Sequence, residues 1–103
     1  MQPVIDGKND WLFPNPQNTL VFTTTYVQSK QYPILEVYHD EDGDWQFMCG
    51  TTNTSADGLL VCIGHVLNWD PTLALLHDLE PGHCAIRTEP GKEWKRARHV
   101  SQD

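Results

Sequence analysis

Ionisable side chains are most concentrated in the segment His39-Asp40-Glu41-Asp42-Gly43-Asp44. Oxygen-rich loops of this kind can bind calcium, and the EF-hand loop requires glycine at its sixth position and glutamate at its twelfth. Counted from Asp40, those two positions hold Trp45 and Thr51. The spacing therefore does not fit a calcium loop, and it favours a solvent-exposed hairpin turn. The functional alternative is a docking surface for a cationic partner, with the candidate residues Asp40, Glu41, Asp42 and Asp44.

Five histidines and three cysteines are the side chains best suited to zinc binding or thiol chemistry. No two histidines lie three or four residues apart on the one predicted helix, and no cysteines form a C-x-x-C pair, so zinc is disfavoured. A cysteine nucleophile needs a nearby base, but sequence neighbours such as His83 and Cys84 point to opposite faces of a strand. The chain also lacks a G-x-S-x-G turn and a glycine-rich phosphate loop. We therefore predict buried free thiols, no catalytic, metal-binding or cofactor-binding residue, and a protein that is not an enzyme.

The net charge of −7 is unevenly distributed along the chain. Residues 1–86 contain eleven Asp or Glu against Lys8 and Lys30, whereas residues 87–103 contain five Lys or Arg against three acids. A strongly acidic body repels phosphate backbones and attracts cationic surfaces. We therefore expect no nucleic-acid partner, and we predict another protein, basic in character, as the partner.

The length of 103 residues suits a single domain. We divide it into an extended N-terminal arm over residues 1–18, a folded core over residues 19–94 and a mobile basic tail over residues 95–103. No apolar run reaches the roughly 18–20 residues that a membrane-spanning helix needs. The first ten residues also lack the basic and apolar regions of a signal peptide. We therefore expect a cytoplasmic protein without a membrane partner.

The arm contains the sequence DWLFPNPQN at positions 10–18. Its two prolines each fix φ, and together they exclude a helix. Trp11 and Phe13 can anchor this extended segment to the body, which is the favoured interpretation. An exposed apolar patch here would instead be a partner site, so both residues are also candidate partner-binding residues.

The clearest local pattern is a hairpin. Two runs rich in β-branched and aromatic residues, at positions 34–39 and 45–49, are joined across Asp42-Gly43. A loop of two or four residues would pair Tyr38 with Phe47. One face of the hairpin would then carry Ile34, Tyr38, Trp45 and Phe47.

The remaining elements complete an α+β pattern. Residues 20–28 predict a strand, and the apolar run LLVCI at positions 59–63 predicts a buried one. Asp70-Pro71 supplies an N-cap acid and a proline at the first helical position, which predicts a helix over residues 72–79. Its predicted apolar stripe comprises Leu75, Leu76 and Leu79. Residues 83–88 alternate like a closing strand. The predicted fold class is α+β, with a small, mostly antiparallel sheet of four to five strands and one or two short helices packed on one face.

Three segments, DGDWQFMCG, LLVCIGHVLNWDPTLALL and GHCAIRTEPGKEW, carry a family resemblance. In order and spacing they resemble the bacterial domain of unknown function family 2185, also called immunity protein 33. The resemblance covers about residues 20–96 and implies a protein that neutralises a toxin-like partner. It supplies no catalytic residues. The matching residues are interpreted as structural, and they are Trp45, Phe47, Asp70 and Pro71.

Three functions are therefore weighed, and the first is a non-catalytic protein-binding module of the immunity type. The alternative is a small-ligand-binding or regulatory domain, in which the aromatic side chains of Tyr38, Trp45 and Phe47 line a pocket instead of a core. The third is an enzyme with an unfamiliar site, which would require a cleft holding ionisable groups with opposed pKa shifts. The oligomeric state stays open among all three.

Overall fold

The computed structural model describes residues 11–30, 32–50 and 58–98. Their secondary structure comprises six strands and three helical segments. In chain order these are β1 (Leu20–Thr24), α1 (Thr25–Gln28), β2 (Glu36–His39), β3 (Trp45–Met48), β4 (Gly58–Cys62), α2 (Ile63–Trp69), a 3₁₀ helix (Pro71–Leu76), β5 (His83–Ile86) and β6 (Lys95–Arg98).

The six strands form one sheet in the order β4-β1-β3-β2-β5-β6. Strands β1 and β3 are parallel, and the other neighbouring pairs are antiparallel. The predicted α+β class and mostly antiparallel sheet are therefore confirmed, and the described residues contain six strands where four to five were predicted. The additional strand is β6.

Strand β6 occupies the start of the segment predicted to be a mobile tail. It pairs along β5, from Lys95 opposite Ile86 to Arg98 opposite His83. Arg96 adds a contact from outside the sheet, because its Nη2 donates to the Leu75 carbonyl at 3.0 Å. Such tertiary contacts order a strand whose own residues have no apolar pattern. Residues 99–103 of the predicted tail lie outside the described residues.

The hydrophobic core lies between one face of the sheet and the helical segments. The buried apolar strand residues on this face are Val21, Val37, Trp45, Phe47 and Ala85. The helical segments contribute Val27, Ile63, Val66, Leu73 and Leu76 to the same cluster. Side chains alternate between the two faces of a strand. These buried strand side chains therefore all point to the same face of the sheet, which we call the covered face.

Strand β1 is shorter than the predicted strand over residues 20–28. Thr24 has an extended backbone, and its Oγ1 accepts a hydrogen bond from the Val27 backbone N–H at 3.1 Å. This is the geometry of a helix N-cap, which satisfies a backbone donor at the start of a helix. The β-branched run therefore turns into the single turn of α1 instead of continuing as a strand.

The hairpin between β2 and β3 exists, but its register differs from the predicted one by one residue. Val37 lies opposite Phe47, and Tyr38 lies opposite Gln46. The Gly43 N–H donates to the Asp40 carbonyl at 2.9 Å, and Gly43 has φ +98°. A three-residue loop that ends in a left-handed glycine therefore replaces the predicted loop of two or four. Tyr38 consequently lies on the opposite face from Trp45 and Phe47.

The segment after α2 begins as predicted and differs in its helix type. The Asp70 side chain accepts a hydrogen bond from the Thr72 backbone N–H at 3.1 Å, and Pro71 follows it directly. The segment is 3₁₀ over Pro71–Leu76 instead of α-helical over residues 72–79. Burial of Leu73 and Leu76 matches the three-residue period of a 3₁₀ helix, and Leu79, beyond its end, is also buried. Leu75, predicted in the apolar stripe, is exposed.

Strand β4 lies at the edge of the sheet, where it pairs only with β1 among the described strands. Its residues are half-buried or exposed, whereas its apolar run predicted a buried strand. An edge strand has a neighbour on one side only, so its apolar side chains receive less cover than those of a central strand. This difference in position explains the incorrect prediction.

Candidate functional site

The second face of the sheet is left uncovered by the described helices, which pack on the covered face. Residues paired across neighbouring strands point to the same face of the sheet, and so do alternate residues along one strand. These two rules identify the residues of the second face. We call it the open face. Its residues are Leu20, Phe22, Glu36, Tyr38, Gln46, Met48, Leu60, Cys62, Cys84, Ile86, Lys95 and Ala97.

Large apolar side chains are exposed on the open face. Leu60 and Phe22 are cross-strand partners on β4 and β1, and they are 53% and 46% exposed. Leu20 is 59% exposed on the same side of β1, and Ile86 on β5 is 42% exposed. Apolar side chains grouped on one surface are typical of interaction sites. Sequence reasoning missed them because apolar residues in strand-like runs ordinarily belong to a core.

A carboxylate lies beside one of these apolar side chains, Ile86. Glu36 is opposite Met48 on one neighbouring strand and Ile86 on the other. The Tyr38 hydroxyl donates to Glu36 Oε1 at 2.7 Å. No donor from the described residues reaches the second oxygen, Oε2, within hydrogen-bonding distance. Lys95 lies beyond Ile86 on the edge strand, and it forms no ion pair with this carboxylate.

The charge of Glu36 affects its two ionisable neighbours on the open face. Burial, the hydrogen bond to Glu36 and the negative charge of Glu36 together raise the pKa of Tyr38 above its ordinary value. Burial, followed by the charge of Glu36, raises the pKa of the Cys84 thiol. Both groups are therefore held in their neutral forms. A raised thiol pKa is the opposite of what an activated cysteine nucleophile requires.

The predicted acidic docking residues lie together at the hairpin tip. Glu41, Asp42 and Asp44 are exposed, and Asp42 Oδ1 accepts from the Asp44 backbone N–H at 3.2 Å. Asp40 is half-buried and accepts from Gln46 Nε2 at 2.9 Å. Since Gln46 lies on the open face, Asp40 links the acidic tip to the end of that face.

The arm residues lie apart from the acidic tip and pack on the body. Phe13 is buried in the core, where its ring contacts Trp45 edge-on with centroids 5.1 Å apart. Trp11 is half-buried, and its Nε1 donates to the Asn15 carbonyl at 2.7 Å. The burial of Phe13 removes it from any surface that a partner could contact. The arm anchors to the core through this ring, as favoured above, and residues 1–10 lie outside the described residues.

The aromatic residues expected to line a ligand pocket do not share one. Trp45 and Phe47 are buried in the core on the covered face, whereas Tyr38 lies on the open face. The separation follows from the hairpin register, because a shift of one residue exchanges the two faces of a strand. These three side chains therefore cannot line a common ligand pocket.

Arg87 is a buried charge beside a surface cleft of about 530 Å³. Its Nε and Nη2 donate to the Ile34 carbonyl at 3.0 and 2.8 Å, and its Nη2 also pairs with Asp70 Oδ2 at 2.6 Å. Its Nη1 donates to Thr72 Oγ1 at 3.2 Å, and the ring of Trp94 lies 4.3 Å from the guanidinium carbon. These contacts join the sheet to the start of the 3₁₀ helix, so the role of Arg87 is structural.

No protein-family model matches this chain, and neither does any curated protein or solved structure. Among the described residues, no group of three His, Cys, Asp or Glu side chains is arranged to hold a metal ion. None of the helices in residues 11–30, 32–50 and 58–98 combines the length and apolar character needed to cross a membrane. The open face is therefore the candidate site, on the strength of its geometry alone.

Proposed function

We propose that this chain is a non-catalytic protein-binding module of the immunity-protein type, acting in the bacterial cytoplasm. The observation that carries the proposal is the open face, where four large apolar side chains are 42–59% exposed and one of them, Ile86, lies opposite the carboxylate of Glu36. A rigid sheet that presents such a surface favours association with another protein. The resemblance to immunity protein 33 supports a toxin as the class of partner.

The charge of the chain supports a basic partner. The net charge is −7, and the acidic tip adjoins the open face through Asp40 and Gln46. Long-range attraction between an acidic module and a basic protein accelerates their encounter, and salt screens that attraction. The acidic tip residues therefore act on the association rate, while the open face supplies the packed contact.

Co-expression with the products of the neighbouring genes tests this function. A toxin encoded beside this chain should inhibit colony formation when expressed alone and fail to do so when the chain is present. Calorimetry should give a nanomolar Kd that weakens between low salt and about 0.5 M salt. A copurifying small molecule without any protein partner would contradict the proposal.

A further inference from the structure

We propose that the open face binds one amphipathic helix of a basic partner, with a Lys or Arg of that helix paired to Glu36. This inference rests on the proposed function, because it specifies the partner element that the same face receives. Leu20, Phe22 and Leu60 would contact the apolar stripe of the helix. Glu36 and Asp40 would receive its cationic side chains.

The charge of the open face calls for a cation. Glu36 Oε1 has the Tyr38 hydroxyl as its donor, whereas Oε2 has no donor among the described residues. The neighbouring cross-strand residues, Met48 and Ile86, are apolar and provide no counter-charge. A partner surface that covered this carboxylate without neutralising it would incur a large desolvation penalty. A bound partner must therefore bring a positive charge to this point.

The spacing of the carboxylates fits a helix. Asp40 directly follows β2, four residues after Glu36, which corresponds to roughly 13 Å along an extended chain. Cationic residues seven or eight positions apart on one helix are separated by roughly 11–12 Å along its axis. Two turns of a helix that lies over β3, between β1 and β2, thus place one cation at each carboxylate and the apolar stripe against β1.

A helix also fits the exposed surface better than an added strand does. Helices pack on one face of the sheet in α+β folds, and the covered face of this chain is packed in that way. Strand addition requires an accessible edge strand. The β6 edge carries Lys95, Arg96 and Arg98, whereas the β4 edge carries no charged side chain. Charged side chains on an edge strand oppose pairing with another strand. Charge therefore opposes strand addition at β6 only, and the face is the docking surface because the exposed apolar side chains point to it.

A second copy of the chain is disfavoured as the occupant. Each copy carries a net charge of −7, so face-to-face packing would bring two acidic bodies together. In the described part of the open face and its adjoining tip, Lys95 is the single cation, and it lies on the outermost strand. Charge complementarity therefore favours a cationic partner over self-association.

A synthetic probe tests the inference without the natural partner. The probe is a Leu/Lys amphipathic helix of about 18 residues, roughly 27 Å long, with lysines seven positions apart flanking the leucine stripe. A second peptide replaces every lysine with glutamate. The full chain should bind the lysine peptide in calorimetry and bind the glutamate peptide at least about tenfold more weakly.

Matched variants locate the binding surface. Phe22→Ser and Leu60→Ser should each weaken binding of the lysine peptide by about fivefold or more. Glu36→Gln should weaken it by about threefold or more while preserving the size of the side chain. Leu75→Ser and Glu80→Gln alter an exposed leucine and an exposed glutamate outside the open face, and they should leave the Kd unchanged. Circular dichroism would confirm that every variant folds.

The outcomes separate this inference from the proposed function. Equal binding of both peptides, or equal loss in open-face and control variants, would overturn the helix proposal even if a co-expressed protein still binds. A dimer in sedimentation that Leu60→Ser dissociates would show that a second copy occupies the face, and it would also overturn the proposal. Two results together would support both the proposed function and the helix inference. The open-face variants, but not the control variants, would lose binding of the co-expressed partner, and the chain would bind the lysine peptide in preference to the glutamate peptide.

Discussion

At the scale of single residues, Arg87 shows how a buried charge can organise a small fold. Its guanidinium contacts the Ile34 carbonyl, the Asp70 carboxylate, the Thr72 hydroxyl and the Trp94 ring. The Arg87 side chain is 1% exposed and that of Asp70 is 22% exposed. A guanidinium with partners for several of its donors can be buried without a large unpaired charge.

Replacement of Arg87 by methionine should therefore destabilise the protein. The variant leaves the Ile34 carbonyl and the Asp70 carboxylate without their main partner, and we expect a loss of about 3 kcal/mol in the free energy of unfolding. Urea titration followed by tryptophan fluorescence measures this loss. Arg96→Met is the matched control, because its ion pair with Asp78 and its hydrogen bond to the Leu75 carbonyl are both exposed, so their loss should change stability little. Equal losses in the two variants would contradict the structural role of Arg87.

Tyr38 predicts a pH dependence of stability in the alkaline range. Its pKa is raised by burial, by the hydrogen bond to Glu36 and by the Glu36 charge. The unfolded chain therefore loses this proton near pH 10, while the folded chain still holds it. The contribution of Tyr38 to the free energy of unfolding is therefore fully present below pH 10 and decreases as the pH rises above that value. Urea midpoints measured from pH 9 to 11 under reducing conditions should fall less steeply for Tyr38→Phe than for the unmodified chain. If the urea midpoints of Tyr38→Phe and of the unmodified chain fell equally with pH, the raised pKa of Tyr38 would be refuted.

At the scale of elements, the hairpin turn decides which side chains reach each face of the sheet. The three-residue loop ends at Gly43, whose φ of +98° is the left-handed conformation that glycine adopts most easily. A Cβ at Gly43 would meet no atom within 4 Å. The backbone conformation alone therefore makes glycine favourable here.

Gly43→Ala should lower the free energy of unfolding by about 1–2 kcal/mol, because the added Cβ strains a left-handed backbone. Gly43→Asn should cost less, since asparagine adopts this conformation more readily than other non-glycine residues. Thermal unfolding monitored by circular dichroism ranks the three proteins. A Gly43→Ala variant as stable as the unmodified chain would show that the turn adopts another conformation.

The same turn shows how far the sequence could predict the structure. Asp42-Gly43 located the hairpin, and Asp70-Pro71 located a helix start, because each dipeptide acts through its own backbone chemistry. Loop length is not determined by such a dipeptide, so the register was wrong by one residue, and Tyr38 was placed among the core aromatics. The open face could not be predicted either, because its residues are determined by that register and by the edge position of β4. Both depend on tertiary pairing, which local patterns do not encode.

At the scale of the whole molecule, the sheet and helices are unequal in extent. Among residues 11–30, 32–50 and 58–98, the sheet spans six strands, whereas the helical segments contain four, seven and six residues. Helices this short suffice to cover one face of the sheet. On the other face, the described helices leave Leu20, Phe22, Leu60 and Ile86 exposed, and the net charge of −7 opposes self-association through them.

This asymmetry predicts that neighbouring residues of β1 respond differently to the same substitution. Val21 is 1% exposed on the covered face, so Val21→Ser should cost about 3 kcal/mol of stability through lost packing and a buried hydroxyl. Leu20 is 59% exposed on the open face, so Leu20→Ser should cost less than about 1 kcal/mol. Urea unfolding of both variants in the absence of partner measures the difference. A loss for Leu20→Ser as large as that for Val21→Ser would mean that the open face is covered in the isolated protein, leaving no free surface for a partner helix.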